Sequence, residues 1–257
     1  RPCASVAAPD EAAVQRLRQR LAQAERVCVL TGAGMSAESG IPTFRDAQTG
    51  LWARCDPLQL ASEAGFRADP GLVWDWYQQR REGVRRAQPN AGHLALAEFA
   101  RRRPGVLTLV TQNVDDLHQR AGLDGVLRLH GDILQNRWLD PCRHAGGCRA
   151  DPQQPGRPPA CTVCGNLLRP GVVWFGEALP AEVLQQAEAA ARKAQVMLVV
   201  GTSGAVWPAA GLAAVARRGG AHVAILNPQA TEIDDDADEH LAGTAAELLP
   251  RLLAPVA

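Results

Sequence analysis

The stretch VCVLTGAGMSA, residues 27–37, decides the fold class. An apolar, strand-like segment runs directly into a turn that contains Gly32 and Gly34. The spacing Gly-x-Gly-x-x-Ala matches the fingerprint of a strand–turn–helix unit in which small residues let backbone N–H groups approach a pyrophosphate. The alternative is a tight strand-to-helix turn that holds no ligand. The fingerprint predicts a helix after the turn and a pyrophosphate beside the two glycines.

Apolar runs of strand length recur along the chain. They lie at residues 106–110, 126–129, 172–174, 196–200 and 223–226. Stretches with helical periodicity separate most of them, such as Ala91 to Arg101 and Ala181 to Lys193. Strands that alternate with helices are typical of a parallel sheet covered on both faces. We therefore predict an α/β fold with a Rossmann-like parallel sheet.

Two segments interrupt the alternation and predict a smaller inserted lobe. Residues 46–86 carry Trp52, Trp74, Trp76 and the only tyrosine, and residues 131–170 are rich in proline, glycine and cysteine. The predicted Rossmann-like domain comprises residues 1–45, 87–130 and 171–257. The predicted lobe, helical and zinc-binding, comprises residues 46–86 and 131–170.

Composition narrows the class of partner. Lys and Arg total 27 and Asp and Glu total 27, which argues against a broad electrostatic surface for nucleic acid or anionic lipid. No apolar run has the length of a membrane span, and residues 1–8 lack the layout of a signal peptide. We expect a cytoplasmic protein with no membrane partner, whose first nine residues form a disordered tail.

Five segments, in order, resemble the signature motifs of the sirtuin family. They are residues 32–45, 111–118, 129–131, 169–177 and 200–203, and the resemblance extends from about Val27 to Leu249. It implies a protein-lysine deacylase that cleaves NAD, transfers the acyl group to ADP-ribose and releases nicotinamide. Hydride transfer is disfavoured, because no strand follows the fingerprint closely enough to supply the ribose-binding carboxylate of a dehydrogenase.

The resemblance also implies roles for individual residues. His130 matches the family's general base, a task that suits imidazole because its usual pKa lies near neutrality. Asn113 and Asp115 complete the implied catalytic set, and with Gln112 they match the pocket for nicotinamide and its ribose. The implied NAD-binding residues are Gly32, Ala33, Gly34, Ser36, Phe44, Arg45, Gln112, Asn113, Asp115, Gly201, Thr202, Ser203, Asn227 and Ala245.

The implied partner is an acylated lysine side chain of another protein. Tyr77 and Arg80, three residues apart on a predicted helix, resemble the sirtuin subclass that removes succinyl, malonyl or glutaryl groups; acetyl removal is also expected. The alternative is that Arg80 belongs to a solvated run of arginines. The implied substrate-binding residues are Ala61, Tyr77, Arg80, Val173, Phe175, Gly176 and Glu177, the last four pairing with substrate backbone as an added strand.

Four bunched cysteines predict one structural zinc ion. They are Cys142, Cys148, Cys161 and Cys164. Four thiolates would complete a tetrahedral site. The first pair is spaced more widely than is usual in the family, so His144 remains open as a substitute ligand.

Two other functions remain as alternatives. A mono-ADP-ribosyltransferase or NAD hydrolase on the same scaffold predicts a damaged acyl-lysine channel, whereas residues 173–177 match the family pattern. A non-catalytic NAD-binding regulator predicts loss of His130, Asn113 or Asp115, and all three are present.

Overall fold

The computed structural model describes residues 8–257, and these form two compact units. The sheet unit contains the described residues up to 43 together with residues 87–129 and 179–257. The insert unit contains residues 44–86 and 130–178. Residues 1–7, which include Cys3 and most of the predicted tail, lie outside the described part of the chain.

The strands and helices follow the predicted alternation. The strands are β1 (Val27–Thr31), β2 (Leu107–Thr111), β3 (Leu127–Arg128), β4 (Gly131–Trp138), β5 (Leu168–Val172), β6 (Val196–Val200), β7 (His222–Leu226) and β8 (Glu239–Leu241). The helices are α1 (Glu11–Gln23), α2 (Gly34–Ala37), α3 (Phe44–Ala47), α4 (Pro57–Leu60), α5 (Glu63–Ala68), α6 (Pro70–Arg86), α7 (Ala91–Arg102), α8 (Leu117–Arg120), α9 (Ala181–Lys193), α10 (Leu212–Arg218) and α11 (Ala245–Leu253). Short 3₁₀ turns occupy Gly50–Arg54, Ala209–Gly211 and Asp234–Asp236.

The sheet unit is built on a six-stranded parallel sheet in the order β3-β2-β1-β6-β7-β8. Strand β1 is buried throughout because it lies between β2 and β6. Alternate β1 side chains enter opposite cores: Val29 packs with α1, α7 and α11, whereas Leu30 packs with α9 and α10. The predicted parallel sheet with both faces covered is confirmed.

The predicted strand at residues 172–174 is wrong in position and partner. The strand is β5, which pairs antiparallel with β4 in a separate two-stranded sheet. Both strands belong to the insert unit, so residues 171–178 lie there and not, as predicted, in the Rossmann-like domain; the same holds for residues 44–45 and 130. The apolar run at residues 172–174 was a poor guide to this strand because β5 pairs with β4, and β4 is mostly polar and half-exposed.

The insert unit is otherwise helical, as expected from its sequence. Helix α6 buries Val73, Trp74, Trp76, Tyr77, Arg81 and Val84. Helix α4 begins at a capping box, in which the Asp56 side chain accepts from the N–H of Leu58 and the Gln59 side chain accepts from the N–H of Asp56. Among residues 8–257, no helix is long and apolar enough to cross a membrane.

Candidate active site and metal centre

The glycine turn after β1 lies against the end of β6. A Cβ atom on Gly32 would lie 2.7 Å from Thr202 Cβ, and one on Gly34 would lie 2.7 Å from Gly201 Cα. The Gly34 N–H donates to the Gly201 carbonyl at 2.7 Å. These glycines therefore let two neighbouring strand ends approach closely, which is a packing role in addition to the predicted one.

The helix predicted after this turn is α2, and it is only four residues long. A single helical turn aligns too few peptide dipoles for a large effect on a bound phosphate. Within it, Ser36 is buried, and its hydroxyl donates to Asp115 Oδ2 at 2.8 Å. Ser36 thus contacts a carboxylate of the predicted catalytic set.

Polar residues after β2 join the glycine turn and the end of β6. Asn113 Nδ2 donates to the Gly32 carbonyl at 2.9 Å, and its backbone N–H donates to Thr111 Oγ1 at 3.0 Å. Gln112 Nε2 donates to Thr202 Oγ1 at 3.4 Å. Residues predicted to bind NAD from three separate segments therefore meet at the carboxyl edge of the parallel sheet, where open α/β sheets bind ligands.

Asp115 is a buried, oriented carboxylate. It accepts the Ser36 hydroxyl on Oδ2 and the Leu117 N–H on Oδ1, the latter at 3.0 Å. Burial raises its pKa above the usual value of a carboxyl group, and those two hydrogen bonds oppose the rise. Arg128 donates to the backbone carbonyl of Asp115 at 2.6 Å and so holds the segment in place.

Two buried histidines, for which no site role was predicted, adjoin this group. Their ring centroids are 5.0 Å apart. His93 Nδ1 accepts the Asn90 N–H at 3.1 Å, and its Nε2 lies 3.5 Å from Ser36 Oγ. His118 Nε2 lies 2.9 Å from Thr31 Oγ1. Burial lowers the pKa of His93 to about 4 and that of His118 to about 3, so both rings are neutral at pH 7.

The predicted adenosine contacts differ in accessibility. Ser203 is exposed, whereas Thr202 is buried. Asn227 uses its side-chain amide to donate to the Gln229 carbonyl at 2.8 Å. Ala245 is 3% exposed and belongs to the core beside α7. Its side chain is therefore packed in the core, and only its backbone could contact a ligand.

In the insert unit, one backbone hydrogen bond joins a predicted substrate residue to the predicted base, and another joins two predicted substrate residues to each other. The Val173 N–H donates to the His130 carbonyl at 2.8 Å, and the Phe175 N–H donates to the Ala61 carbonyl at 2.9 Å. The Phe175 ring is 56% exposed. Gly176 adopts a φ of +84°, which ends the extended segment in a turn that favours glycine.

Glu177 has partners inside the same unit. Its two carboxylate oxygens accept from the Arg169 guanidinium at 2.7 and 2.8 Å, and Oε1 also accepts the Trp174 N–H at 2.8 Å. Arg169 is 1% exposed and lies 3.6 Å from the centroid of the Trp174 ring. Glu177 therefore stabilises this segment through an ion pair with the buried Arg169, a role that the sequence pattern did not indicate.

Arg80 lies among three aromatic rings. Its guanidinium carbon is 4.8 Å from the Trp76 ring, 5.7 Å from the Tyr77 ring and 5.9 Å from the Phe44 ring. Such distances are typical of cation–π contacts. Phe44, predicted as a cofactor residue, thus lies beside the predicted acyl-binding pair.

The neighbouring arginines differ from Arg80, which argues against a single solvated charge run. Arg81 is 4% exposed, and its guanidinium donates to the Gln135 carbonyl at 2.9 Å and to Asn136 Oδ1 at 2.6 Å. Arg85 and Arg86 are exposed. The arginines of α6 therefore occupy distinct environments.

The predicted cysteine cluster forms, and His144, which the sequence left open as a ligand, lies within it. The metal-binding atoms of His144, Cys148, Cys161 and Cys164 all lie within 4.8 Å of one another. Cys142, also predicted as a ligand, is exposed; its thiol donates to the His144 carbonyl at 3.3 Å and also interacts with the Cys148 thiol. The sharp turn after residue 144, where Gly147 has a φ of +73°, allows the imidazole to take part in the cluster.

The cluster has the dimensions of a zinc site. His144 Nε2 lies 3.4 Å from Cys161 Sγ, and Cys148 Sγ lies 3.6 Å from Cys164 Sγ. Tetrahedral zinc with ordinary bond lengths separates its ligand atoms by about 3.5–3.8 Å. Backbone N–H groups, chiefly that of Cys164, lower the pKa of Cys161 to about 5, whereas burial and the neighbouring Cys142 thiol raise the pKa of Cys148 to about 12.

Comparison with known proteins supports the resemblance inferred from the motifs. The Sir2 family model matches residues 32–208. A protein of Ralstonia nicotianae named NAD-dependent protein deacylase is 54% identical over 248 residues, which cover 96% of this chain and 99% of that protein. NAD-dependent protein deacylase 1 of Pseudomonas aeruginosa is 50% identical over 238 residues, covering 91% and 95%.

Solved structures agree with this assignment. A Sir2 homologue in complex with NAD superposes with a TM-score of 0.82 at 41% identity, covering 98% of this chain and 95% of that one. Sir2Tm bound to a propionylated peptide superposes with a TM-score of 0.78 at 28% identity, covering 93% and 97%. On the family match and these identities over nearly the whole length, the chain belongs to the Sir2 family.

Proposed function

We propose that the chain is an NAD-dependent protein-lysine deacylase that releases nicotinamide and forms O-acyl-ADP-ribose. The observation that carries this proposal is the meeting of Asn113, Asp115 and Gln112 with the glycine turn at the carboxyl edge of the sheet. The names of the curated relatives and the NAD complex of a structural neighbour support it.

NAD supplies a ribose carbon that becomes electrophilic when nicotinamide leaves. Because the amide oxygen of an acyl-lysine is a weak nucleophile, the protein must promote that loss. Asn113 and Gln112 offer amide groups that can orient the carboxamide, and the Asp115 carboxylate can stabilise positive charge that develops on the ribose. The fixed hydrogen bonds of Asp115 support this role, since a preorganised group needs no reorientation during the reaction.

His130 is the proposed general base and takes a proton from a ribose hydroxyl. The backbone of His130 is held by Val173, which belongs to the proposed peptide-binding segment. Because the N–H groups of Val173, Trp174 and Phe175 are already donated within the unit, a substrate strand would pair mainly with the carbonyl groups of this segment. Backbone pairing of this kind gives little selectivity for peptide sequence.

His144, Cys148, Cys161 and Cys164 are the proposed ligands of one zinc ion per chain. Four protein ligands leave no open position, so the ion would stabilise the loop that holds them and take no part in the reaction. Thiolate ligands need a reducing environment, which supports the proposal of a cytoplasmic location.

For acyl choice, we propose that Tyr77 and Arg80 bind a terminal carboxylate, so that succinyl- and malonyl-lysine are substrates together with acetyl-lysine. The aromatic surroundings of Arg80 support this proposal, because a cation beside apolar rings interacts more strongly with a carboxylate than one in water. A plain deacetylase is the alternative.

Mass spectrometry of acetyl-, succinyl- and malonyl-lysine peptides, incubated with and without NAD, tests the proposal. We expect loss of the acyl group only with NAD, together with equimolar nicotinamide and O-acyl-ADP-ribose. NAD consumption that leaves all three peptides intact would instead indicate an ADP-ribosyltransferase or an NAD hydrolase. Transfer of ADP-ribose to protein would distinguish the former from the latter.

A further inference from the structure

The hydroxyl of Tyr77 is an acceptor in a buried hydrogen bond whose direction is fixed. The indole Nε1–H of Trp174 donates to Tyr77 Oη at 2.9 Å. An indole N–H can only donate, so the phenol oxygen must accept. The phenolic proton therefore points away from Trp174, and within residues 8–257 no other atom takes part in a hydrogen bond with this hydroxyl.

Trp174 is held so that its N–H cannot easily turn away. The Arg169 guanidinium lies 3.6 Å from the centre of its ring, and the Phe66 ring packs at 5.4 Å. Its backbone N–H is bound by Glu177, which also pairs with Arg169. With Trp174 only 2% exposed, rotation of the indole would disturb its ring contacts with Arg169 and Phe66.

The same tyrosine lies beside a cation. The guanidinium carbon of Arg80 is 5.7 Å from the Tyr77 ring, and Tyr77 is itself buried. A tyrosine hydroxyl that accepts a hydrogen bond from one neighbour can still donate its own proton to another group. A hydroxyl proton and a guanidinium together form a site suited to an anionic, acceptor-only group such as a carboxylate.

We propose that Trp174 is a positioning residue for acyl selectivity, because its indole N–H sets the Tyr77 hydroxyl as a donor toward the carboxylate of an acidic acyl chain. This inference rests on the proposed binding of such chains by Tyr77 and Arg80. It adds a residue that does not itself touch the acyl group and that lies 97 positions from Tyr77 in the sequence.

Trp174→Phe tests the inference because it keeps an aromatic ring and removes the N–H. We expect the ratio of kcat/KM for succinyl-lysine to kcat/KM for acetyl-lysine to fall roughly two- to tenfold, the equivalent of one neutral hydrogen bond. The change should reside in KM, since the lost interaction orients a group remote from the reacting amide. Trp74→Phe, a buried tryptophan on α6 with no contact to Tyr77 Oη, is the matched control and should leave the ratio unchanged.

A second readout does not depend on activity. Tyr77 is the only tyrosine of the chain, so tyrosine labelled with ¹³C at Cζ gives a single signal from this phenol. Trp174→Phe should shift that signal, and Trp74→Phe should not shift it to the same extent. The double variant Tyr77→Phe/Trp174→Phe should show the same selectivity as Tyr77→Phe alone, because the indole acts through the hydroxyl.

The outcomes separate this inference from the proposal beneath it. If the wild-type protein removes acetyl but no acidic acyl group, both the acidic-acyl proposal and this inference fail. If it removes succinyl groups, but Trp174→Phe leaves either the ¹³C signal or the selectivity ratio unchanged, then the role of Trp174 is refuted and the proposed function stands. Additive losses in the double variant would likewise refute it.

Discussion

Replacing Arg80 by methionine should convert the protein toward a plain deacetylase. Methionine keeps an unbranched apolar side chain, although a shorter one, and removes the charge that lies among the rings of Phe44, Trp76 and Tyr77. A succinyl carboxylate that enters these surroundings would then have no cation as a partner. Acetyl-lysine has no carboxylate and loses no such interaction.

The size of the effect follows from the environment of the guanidinium. Removing one partner of a buried, hydrogen-bonded charge pair costs about 2–5 kcal/mol. Arg80 is only partly buried, so the lower limit applies and the expected loss is about 2 kcal/mol. Since each 1.36 kcal/mol is a factor of ten, kcat/KM for succinyl- and malonyl-lysine should fall about 30-fold relative to acetyl-lysine.

The assay must separate this loss from a loss of folding. Both substrates are measured on the same preparation, so that a reduced fraction of folded enzyme cancels in the ratio. Arg86→Met is the matched control on the same helix, because the Arg86 side chain is 77% exposed and pairs only weakly with Glu82 at 3.7 Å. Equal losses for all acyl substrates in Arg80→Met, or no loss at all, would refute acidic-acyl recognition by Arg80.

Three further predictions concern the base, the metal and the buried histidines. His130→Ala should abolish NAD-dependent deacylation while far-UV circular dichroism and NAD affinity stay close to wild type; full activity would refute the general-base role. His144→Ala should lower the zinc content well below one per chain by metal analysis, whereas Cys142→Ser should retain the metal; the reverse result would restore Cys142 as the ligand. Burial lowers the pKa values of His93 and His118 below the value of about 6.5 that a histidine has in the unfolded chain, so protonation favours unfolding. The stability they give is complete above pH 6.5 and is lost as the pH falls. Denaturant unfolding should therefore show about 2 kcal/mol less stability per histidine at pH 5 than at pH 7.5. Asp115, whose pKa is raised, changes stability in the opposite direction over the same pH range. Zinc release must be followed in the same samples. A free energy of unfolding that does not change between pH 5 and pH 7.5 would contradict the effect of burial on the two histidines.

The central strands were predictable because burial on both faces requires an unbroken apolar run. Strands β1 and β6 are buried at every position, and their sequences are accordingly apolar from end to end. Strand β8 escaped prediction because it lies at the edge of the sheet, spans three residues and includes Glu239 and His240. Short edge strands carry almost no periodic signal.

The pairing of β4 with β5 was beyond the reach of a local pattern. These strands are joined by about thirty residues that hold the metal cluster, and their register shifts between Asp132 and Asn136. A strand that is half-exposed and irregular has neither the apolar run of a buried strand nor strict alternation. The strand predicted at residues 172–174 was therefore displaced toward the more apolar end of the segment.

The metal ligands show a related limit. Spacing identified Cys148, Cys161 and Cys164, because cysteines bunched in one loop converge in almost any compact arrangement. The choice between Cys142 and His144 depends on how the loop turns near Gly147, and the spacing of the cysteines does not determine that turn. His93 was missed for a different reason: its only local signal is the capping box with Asn90, and that signal indicates a helix start and not a site.

The glycine fingerprint was a sound guide to the fold and a weaker one to the ligand. Gly32 and Gly34 leave no room for a Cβ because the end of β6 packs against them, and this would be so in a protein that bound no nucleotide. The following helix is a single turn, which removes the usual dipole argument. The case for NAD at this edge of the sheet therefore depends on the polar groups that surround the turn: Asn113 bound to the Gly32 carbonyl, and Asp115 oriented by Ser36. A tight strand-to-helix turn explains the glycines alone, but it does not explain why a buried carboxylate is held beside two amide side chains at the same strand edge, and this grouping is what favours a ligand there.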